Sequence, residues 1–126
     1  MSDLSYSALI TVRGTRFVAV RVGGELCLAK DEPLSRPLTV HFGAIGQQAE
    51  WARRHGHSPR RVAIAVGCLA WLERGDLLAN LPLHTEYHYQ VRRSKGRYQP
   101  EQAQVHVWPL SWDFFPVIKR GVERWI

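Results

Sequence analysis

Residues 38–69, LTVHFGAIGQQAEWARRHGHSPRRVAIAVGCL, contain the main change of secondary-structure pattern in this chain. The first five of them, 38–42, alternate in the manner of a strand. Helical spacing of small and apolar residues then begins at Ile45, and Gly56 ends it. The run 62–66 is continuously apolar and rich in β-branched residues, which predicts a strand buried on both faces. The stretch therefore predicts the order strand, short helix, strand.

The preceding residues predict an antiparallel meander. Strand patterns cover residues 6–13, 17–22 and 25–29, and glycine turn signals separate them at Gly14 and at Gly23. The second pattern alternates cleanly, because a strand directs successive side chains to opposite faces. One face receives Val18, Val20 and Val22, and the other receives Phe17, Ala19 and Arg21.

Beyond residue 69 the pattern returns to strands. Residues 84–93 and, more faintly, 104–108 predict strands, with a hairpin tip at 94–96. Residues 68–81 fit either a second helix or a strand end followed by a loop. We expect residues 112–126 to form a short helical tail packed on a single domain that spans 1–126.

Two short motifs inside this order point to a known family. Phe42-Gly43 lies at the predicted junction of strand and helix, and Gly67-Cys68-Leu69 closes the next predicted strand. This order, over about residues 38–71, resembles the centre of the bacterial single-stranded DNA-binding protein family, an oligonucleotide-binding barrel. The resemblance and the strand count imply a mainly β fold, a small antiparallel OB-like barrel with one central helix. An α+β sandwich, in which two helices cover an antiparallel sheet, is the alternative.

The resemblance also implies roles for individual residues. Phe42 matches the base-stacking phenylalanine of the family motif. Trp71 lies near the position of a stacking tryptophan, although it comes a few residues early. Arg92, Arg93 and Arg97 fall where a basic hairpin of such barrels follows phosphates. The chain departs from the family at its end, KRGVERWI, where the family has an acidic, apolar tip that recruits partner enzymes.

Charge supports a polyanionic partner. The 126 residues include 17 Lys and Arg against 11 Asp and Glu, a formal charge of +6, and the sequence pI is about 9.9. The first 50 residues are neutral, so the excess lies entirely in residues 51–126. Basic groups that neutralise phosphates gain free energy by releasing condensed counterions.

Arginine clusters and interleaved aromatic side chains define the candidate binding residues. Arginine suits phosphate because its planar fork donates two parallel hydrogen bonds, and aromatic rings suit unpaired bases because every base has a face that can stack. The predicted nucleic-acid-binding set is Phe17, Arg21, Phe42, Trp51, Arg53, Arg54, Trp71, Arg92, Arg93, Lys95, Arg97 and Tyr98. Of the aromatic members, we expect Phe17, Trp51, Trp71 and Tyr98 to be exposed.

A metal site is a second, weaker hypothesis. His84, Glu86 and His88 alternate along one predicted strand and so share a face, which His106 could join from the next strand. Imidazole and carboxylate are acceptable zinc or iron ligands. Residues two apart on a strand lie ~6.5–7 Å apart, so neighbouring members of this set could share a metal ion, but His84 and His88 are too far apart to reach one ion well. We expect no metal and no cofactor. Glycine-rich phosphate loops and a nucleophile elbow are absent from the sequence, which argues against an enzyme.

The function that these patterns favour is binding of single-stranded DNA, or RNA, without chemistry. The alternative is a protein–protein interaction module, such as a small inhibitor or accessory protein docked on a larger complex, because five tryptophans and many arginines suit binding hot spots. Self-association as a homo-oligomer is compatible with either. Cys27 and Cys68 are expected to be buried free thiols, and the lack of an apolar span or secretion signal predicts a cytoplasmic protein without a membrane partner.

Overall fold

The computed structural model describes residues 4–33 and 35–110 and contains a sheet with two helices. The strands are β1 (Ser5–Val12), β2 (Thr15–Val22), β3 (Glu25–Lys30), β4 (Leu38–Thr39), β5 (Leu83–Arg92) and β6 (Tyr98–Pro109). The helices are α1 (Ile45–Arg54) and α2 (Pro59–Arg74), and short 3-10 turns cover Leu77–Ala79 and Ser94–Gly96. The predicted tail, 112–126, lies outside the described residues.

The six strands form one antiparallel sheet in the order β4-β3-β2-β1-β6-β5. The mainly β, antiparallel architecture is therefore confirmed. The sheet is open, and two helices accompany it, so the arrangement is that of the second predicted architecture, an antiparallel sheet with two helices. None of the described helices is long and apolar enough to cross a membrane.

Glycine turns connect the three strands of the β1–β2–β3 meander, as predicted. Gly14 and Gly23 have φ angles of 84° and 56°, a left-handed conformation that glycine adopts without a Cβ clash. The predicted alternation in β2 is also confirmed, because Phe17 and Ala19 face the helices while Val18 and Val20 lie on the opposite face. Tight turns thus place each strand beside its sequence neighbour.

The main core lies between the sheet and the helices. On this helical face of the sheet, Tyr6, Ala8, Ile10 and Val12 of β1 are fully buried. The helix contributes the buried residues Val62, Ala65, Val66, Cys68, Leu69 and Leu72 of α2. Burial of each large aliphatic side chain removes apolar surface from water and contributes ~1.5–3 kcal/mol, so this layer supplies most of the driving force for folding.

A second, smaller apolar cluster lies on the opposite face of the sheet. It consists of Val18, Val20, Cys27 and Ala29, with Leu9, Val22, Trp108 and Leu110 packed against it. Cys27 and Cys68 are both buried and free, as predicted. Burial raises the pKa of Cys27 to about 11 and that of Cys68 to about 12, so both thiols stay protonated at neutral pH.

The predicted strand at 62–66 is wrong, because this run lies inside α2. Ser58 is the N-cap, its side chain accepts a hydrogen bond from the Arg61 N–H, and Pro59 occupies the first helical turn. Apolar residues at 62, 65, 66, 69 and 72 then recur every three or four positions. The β-branched composition suggested a strand, but the cap and the spacing favour a helix, and burial of that helical face prevails.

The remaining boundaries differ more modestly from prediction. The helix expected from Ile45 is confirmed as α1, whereas the strand expected over 38–42 is reduced to Leu38–Thr39. The long hairpin of β5 and β6 is confirmed, and its tip lies at residues 94–96. Only residues 104–109 of β6 pair with β1, so residues 98–103 pair with β5 alone. The hairpin therefore extends ~20 Å beyond its last backbone pairing with β1.

Candidate nucleic-acid interface

Three turns that are distant in sequence lie toward the same end of the molecule. The β1–β2 turn and the β5–β6 tip lie at the same end because β5 runs parallel to β1, with β6 between them. The start of α2 lies there too, since Arg61 Nη1 donates a hydrogen bond to Thr15 Oγ1 at 2.6 Å. We call this region the basic end.

The basic end carries most of the described positive charge. Its basic residues are Arg13, Arg16, Lys30, Arg53, Arg54, Arg60, Arg61, Arg92, Arg93, Lys95 and Arg97. They come from five separate segments of the chain, which only the topology brings together. This gathering concentrates positive potential at one end.

The carboxylates at this end are all engaged in ion pairs. Asp31 pairs with Arg16, Glu32 with Lys30, and Glu50 with Arg54. Arg53, Arg60, Arg92, Lys95 and Arg97 are exposed and have no ion pair with any residue that the structure describes. These five side chains are therefore free to meet an anionic partner.

Glu101 of β6 attaches the hairpin to the rest of the basic end. Its carboxylate lies 3.3 Å from Arg13 Nε and 2.7 Å from Arg93 Nη2. The Tyr89 hydroxyl donates to the same carboxylate at 3.3 Å, and burial together with Glu101 raises the pKa of Tyr89. Glu101 thus links the hairpin to the β1–β2 turn, while Arg93 has part of its charge neutralised.

Tyr98 is the large apolar side chain that stands furthest into solvent among the described residues. It is 63% exposed, follows Arg97 in sequence and lies opposite Arg92 in the β5–β6 register. Its exposure was predicted and is confirmed. A solvent-exposed ring flanked by two unpaired guanidinium groups offers a stacking surface beside phosphate donors.

Two members of the predicted set are not available for binding. Phe17 is 1% exposed and belongs to the main core, so the prediction of its exposure is wrong. Arg21 lies on the same face of β2 and forms an ion pair with Glu73 at 2.7 Å, with only 13% of each side chain exposed. The face that these residues share is covered by helices, and an unpaired charge there would be costly.

The other predicted aromatic residues are partly buried. Trp51 lies near the end of α1. The centroid of its ring is 5.2 Å from that of His55 and 5.1 Å from that of His57, which places Trp51 beside the basic end. Trp71 packs on Tyr87 with 5.4 Å between ring centroids. Phe42 packs against the main core and follows β4, which runs away from the basic end. The structure therefore does not bring Phe42 to the exposed arginines.

A cavity of about 350 Å³ opens within the basic end. Thr15, Phe17, Lys30, Gly56, His57, Ser58 and Arg61 line it. Burial and the nearby Lys30 charge lower the pKa of His57, so this imidazole is neutral at pH 7. The positive charge of the cavity therefore comes from Lys30 and Arg61.

The histidine cluster of the metal hypothesis lies on the opposite face of the sheet, along β5 and β6. His84 and His106 pair across the strands with 3.9 Å between ring centroids, and His88 Nε2 lies 3.6 Å from Glu86 Oε2. The shared face of His84, Glu86 and His88 is thus confirmed. In residues 4–33 and 35–110, however, no group of three or more His, Cys, Asp or Glu side chains is arranged to hold a metal ion.

Comparisons of this chain with models of protein families, with curated proteins and with solved structures found no match. One motif of the resemblance to the single-stranded DNA-binding family is not matched in the structure, because Gly67-Cys68-Leu69 lies inside α2 instead of ending a strand.

Proposed function

We propose that the protein binds single-stranded nucleic acid, DNA in preference to RNA, through the basic end and without catalysis. One observation carries the proposal: five unpaired cationic side chains and an exposed tyrosine lie toward the same end of the molecule, although they come from segments distant in sequence. Arg53 and Arg60 contribute from the α1–α2 region, and Arg92, Lys95 and Arg97 from the hairpin tip. Phosphates neutralised by such groups release counterions, which makes binding tight at low salt.

Tyr98 favours a single strand over a duplex as the ligand. A projecting phenol ring needs the face of an unstacked base, and such stacking contributes ~1–3 kcal/mol per base. In a duplex those faces are covered by neighbouring base pairs. The flanking Arg92 and Arg97 would bind the phosphates on either side of the stacked nucleotide.

The decisive experiment is fluorescence anisotropy of a labelled 30-nucleotide single strand, titrated with protein at several salt concentrations. Replacing Arg92, Lys95 and Arg97 together by alanine should weaken binding at low salt. It should also reduce the slope of log K against log salt by about 2, because each lost phosphate contact on a single strand removes ~0.7. Arg74→Ala, which removes an exposed arginine at the far end of α2, is the control for loss of positive charge outside the basic end and should leave binding unchanged.

Stacking and charge can be separated at Tyr98. Tyr98→Ala should weaken binding about 5- to 150-fold with an unchanged salt slope, whereas Tyr98→Phe should bind as the wild type does. Equal affinity of the wild type and the triple variant for the single strand would contradict the proposal. Absence of binding at low salt would contradict it as well, and an acidic protein surface would then be the partner to test.

A further inference from the structure

The outer edge of β5 is long and regular. β5 runs for ten residues and pairs with β6 on one side, and within the described part of the chain no strand pairs with its other side. The opposite edge of the sheet is β4, which has only two residues. Natural proteins usually blunt long edges with proline, bulges or short strands, because unpaired backbone groups recruit other chains. β5 has no proline and keeps one continuous register with β6 from Leu83 to Arg92.

The hydrogen-bonding pattern identifies which backbone groups face outward. The Arg93 N–H donates to the Arg97 carbonyl, and antiparallel pairs alternate between bonded and non-bonded positions. Odd-numbered residues of β5 therefore bond to β6, and even-numbered residues direct their N–H and C=O groups to the free edge. These residues are His84, Glu86, His88, Gln90 and Arg92, whose side chains lie on the face away from the helices.

This edge is complementary to itself. If two copies of β5 pair antiparallel about a two-fold axis at Tyr87, Glu86 of one copy lies opposite His88 of the other, and His84 lies opposite Gln90. All four positions belong to the outward-facing set, so their backbone groups are in register to bond. Shifting the axis to Glu86 would instead set two carboxylates against each other, and like charges directly opposite are destabilising.

The helical face fits the same register. The two Tyr87 residues would meet at the axis in a non-hydrogen-bonded pair, where side chains come closest. Each Tyr87 already packs on Trp71 of its own chain, with 5.4 Å between ring centroids. Pairing would therefore join two aromatic pairs into one cluster.

We propose that the protein forms a two-fold dimer in which β5 pairs antiparallel with β5 of a second copy, centred on Tyr87. The two sheets become one continuous sheet with all helices on the same side. The inference stands on the β5 edge alone and does not depend on nucleic-acid binding. The two Arg92 residues would lie ~33 Å apart along the paired strands, so the basic ends point in opposite directions.

Analytical ultracentrifugation of the wild type and of charge variants tests the dimer. The wild type should sediment as a dimer at micromolar concentrations and pH 7.5. His88→Glu places glutamate opposite glutamate twice and should yield monomer, whereas the exchanged variant Glu86→His/His88→Glu again sets histidine opposite glutamate and should restore the dimer. Gln102→Glu is the matched control, because it adds the same charge on the same face but one strand inward.

Cysteine cross-linking tests the register. Tyr87→Cys should form a disulfide-linked dimer on mild oxidation, because opposed residues at the axis have Cα atoms ~4.5 Å apart. Tyr89→Cys should not, since its two copies would lie ~13 Å apart. Circular dichroism confirms that each variant is folded. A monomeric wild type, a dimer that survives His88→Glu, or equal cross-linking at both positions would overturn the proposal.

Discussion

The Arg21 guanidinium of β2 lies 2.7 Å from Glu73 Oε1 and 3.0 Å from Glu73 Oε2, near the end of α2. The Tyr6 hydroxyl of β1 donates to Glu73 Oε2 at 2.6 Å. A glutamate near a helix C-terminus is unfavourable for the helix dipole, so its position here depends on these two partners. The network joins two strands to α2 at the end opposite the basic end.

We expect Glu73→Ala to lower the free energy of unfolding by ~3–5 kcal/mol. The substitution leaves the Arg21 charge largely buried without a countercharge, which is the costly way to break such a pair. Urea denaturation of Glu73→Ala, Arg21→Ala and the double variant would give the coupling energy between the two side chains. Glu50→Ala removes the exposed pair with Arg54 and should cost less than ~0.5 kcal/mol. Similar small losses for Glu50→Ala and Glu73→Ala would contradict the buried network.

The buried Tyr6 hydroxyl should make the protein less stable at alkaline pH. Burial, the hydrogen bond to Glu73 and the Glu73 charge raise the pKa of Tyr6 far above its usual 10.0. In the unfolded chain this phenol ionises near pH 10, while in the folded protein it stays neutral. The stability that Tyr6 contributes is therefore complete below pH 10 and falls as the pH rises further, by ~1.4 kcal/mol per pH unit. Urea denaturation between pH 9 and 11 should show a shallower fall in Tyr6→Phe, and identical slopes would contradict this.

The stabilisation gained from Gly67→Ala should depend on the Tyr87 hydroxyl. A Cβ added at Gly67, inside α2, would lie 3.0 Å from the Tyr87 hydroxyl oxygen and 3.8 Å from the ring carbon that bears it. Alanine improves helix propensity by ~1 kcal/mol, but the close oxygen opposes that gain. We expect Gly67→Ala to stabilise the Tyr87→Phe variant by about 1 kcal/mol and the wild type by clearly less. Thermal unfolding of the four proteins would measure this, and equal gains in both backgrounds would contradict it.

Truncation to alanine should lower the free energy of unfolding far more at Phe17 than at Tyr98. Phe17→Ala opens a cavity under the helices and should cost ~3–5 kcal/mol of unfolding free energy. Tyr98→Ala removes an exposed ring at the hairpin tip and should change stability by less than ~0.5 kcal/mol. Chemical denaturation compares them directly. A small loss for Phe17→Ala would show that this ring is not part of the core.

Much of the strand structure was predictable because it depends on local signals. The turns at Gly14 and Gly23, the alternation of β2 and the hairpin of β5 and β6 all follow from neighbouring residues. Residues 62–66 differ from the predicted strand because the Ser58-Pro59 cap and the apolar spacing favour a helix more strongly than β-branched composition favours a strand. The cap and the spacing are both local signals that the sequence contains.

The roles of Phe17 and Arg21 could not be predicted in the same way. Alternation placed both on one face of β2, but it could not say that the helices cover that face. Glu73, which neutralises Arg21, is 52 residues away. Two residues this far apart in sequence pair only because the packing of α2 on the sheet brings them together, so local sequence patterns do not predict the pair.

Local sequence patterns were enough to predict the strand meander, the hairpin, the excess of positive charge and the exposure of Tyr98 at a turn. These properties depend on residue type and short spacing. The order of strands and helices was needed to show which arginines gather at the basic end, that Glu101 neutralises part of Arg93 and Glu73 neutralises Arg21, and which strand has an unpaired edge within the described residues. Each of these depends on the order of strands in the sheet, because that order sets which distant side chains become neighbours.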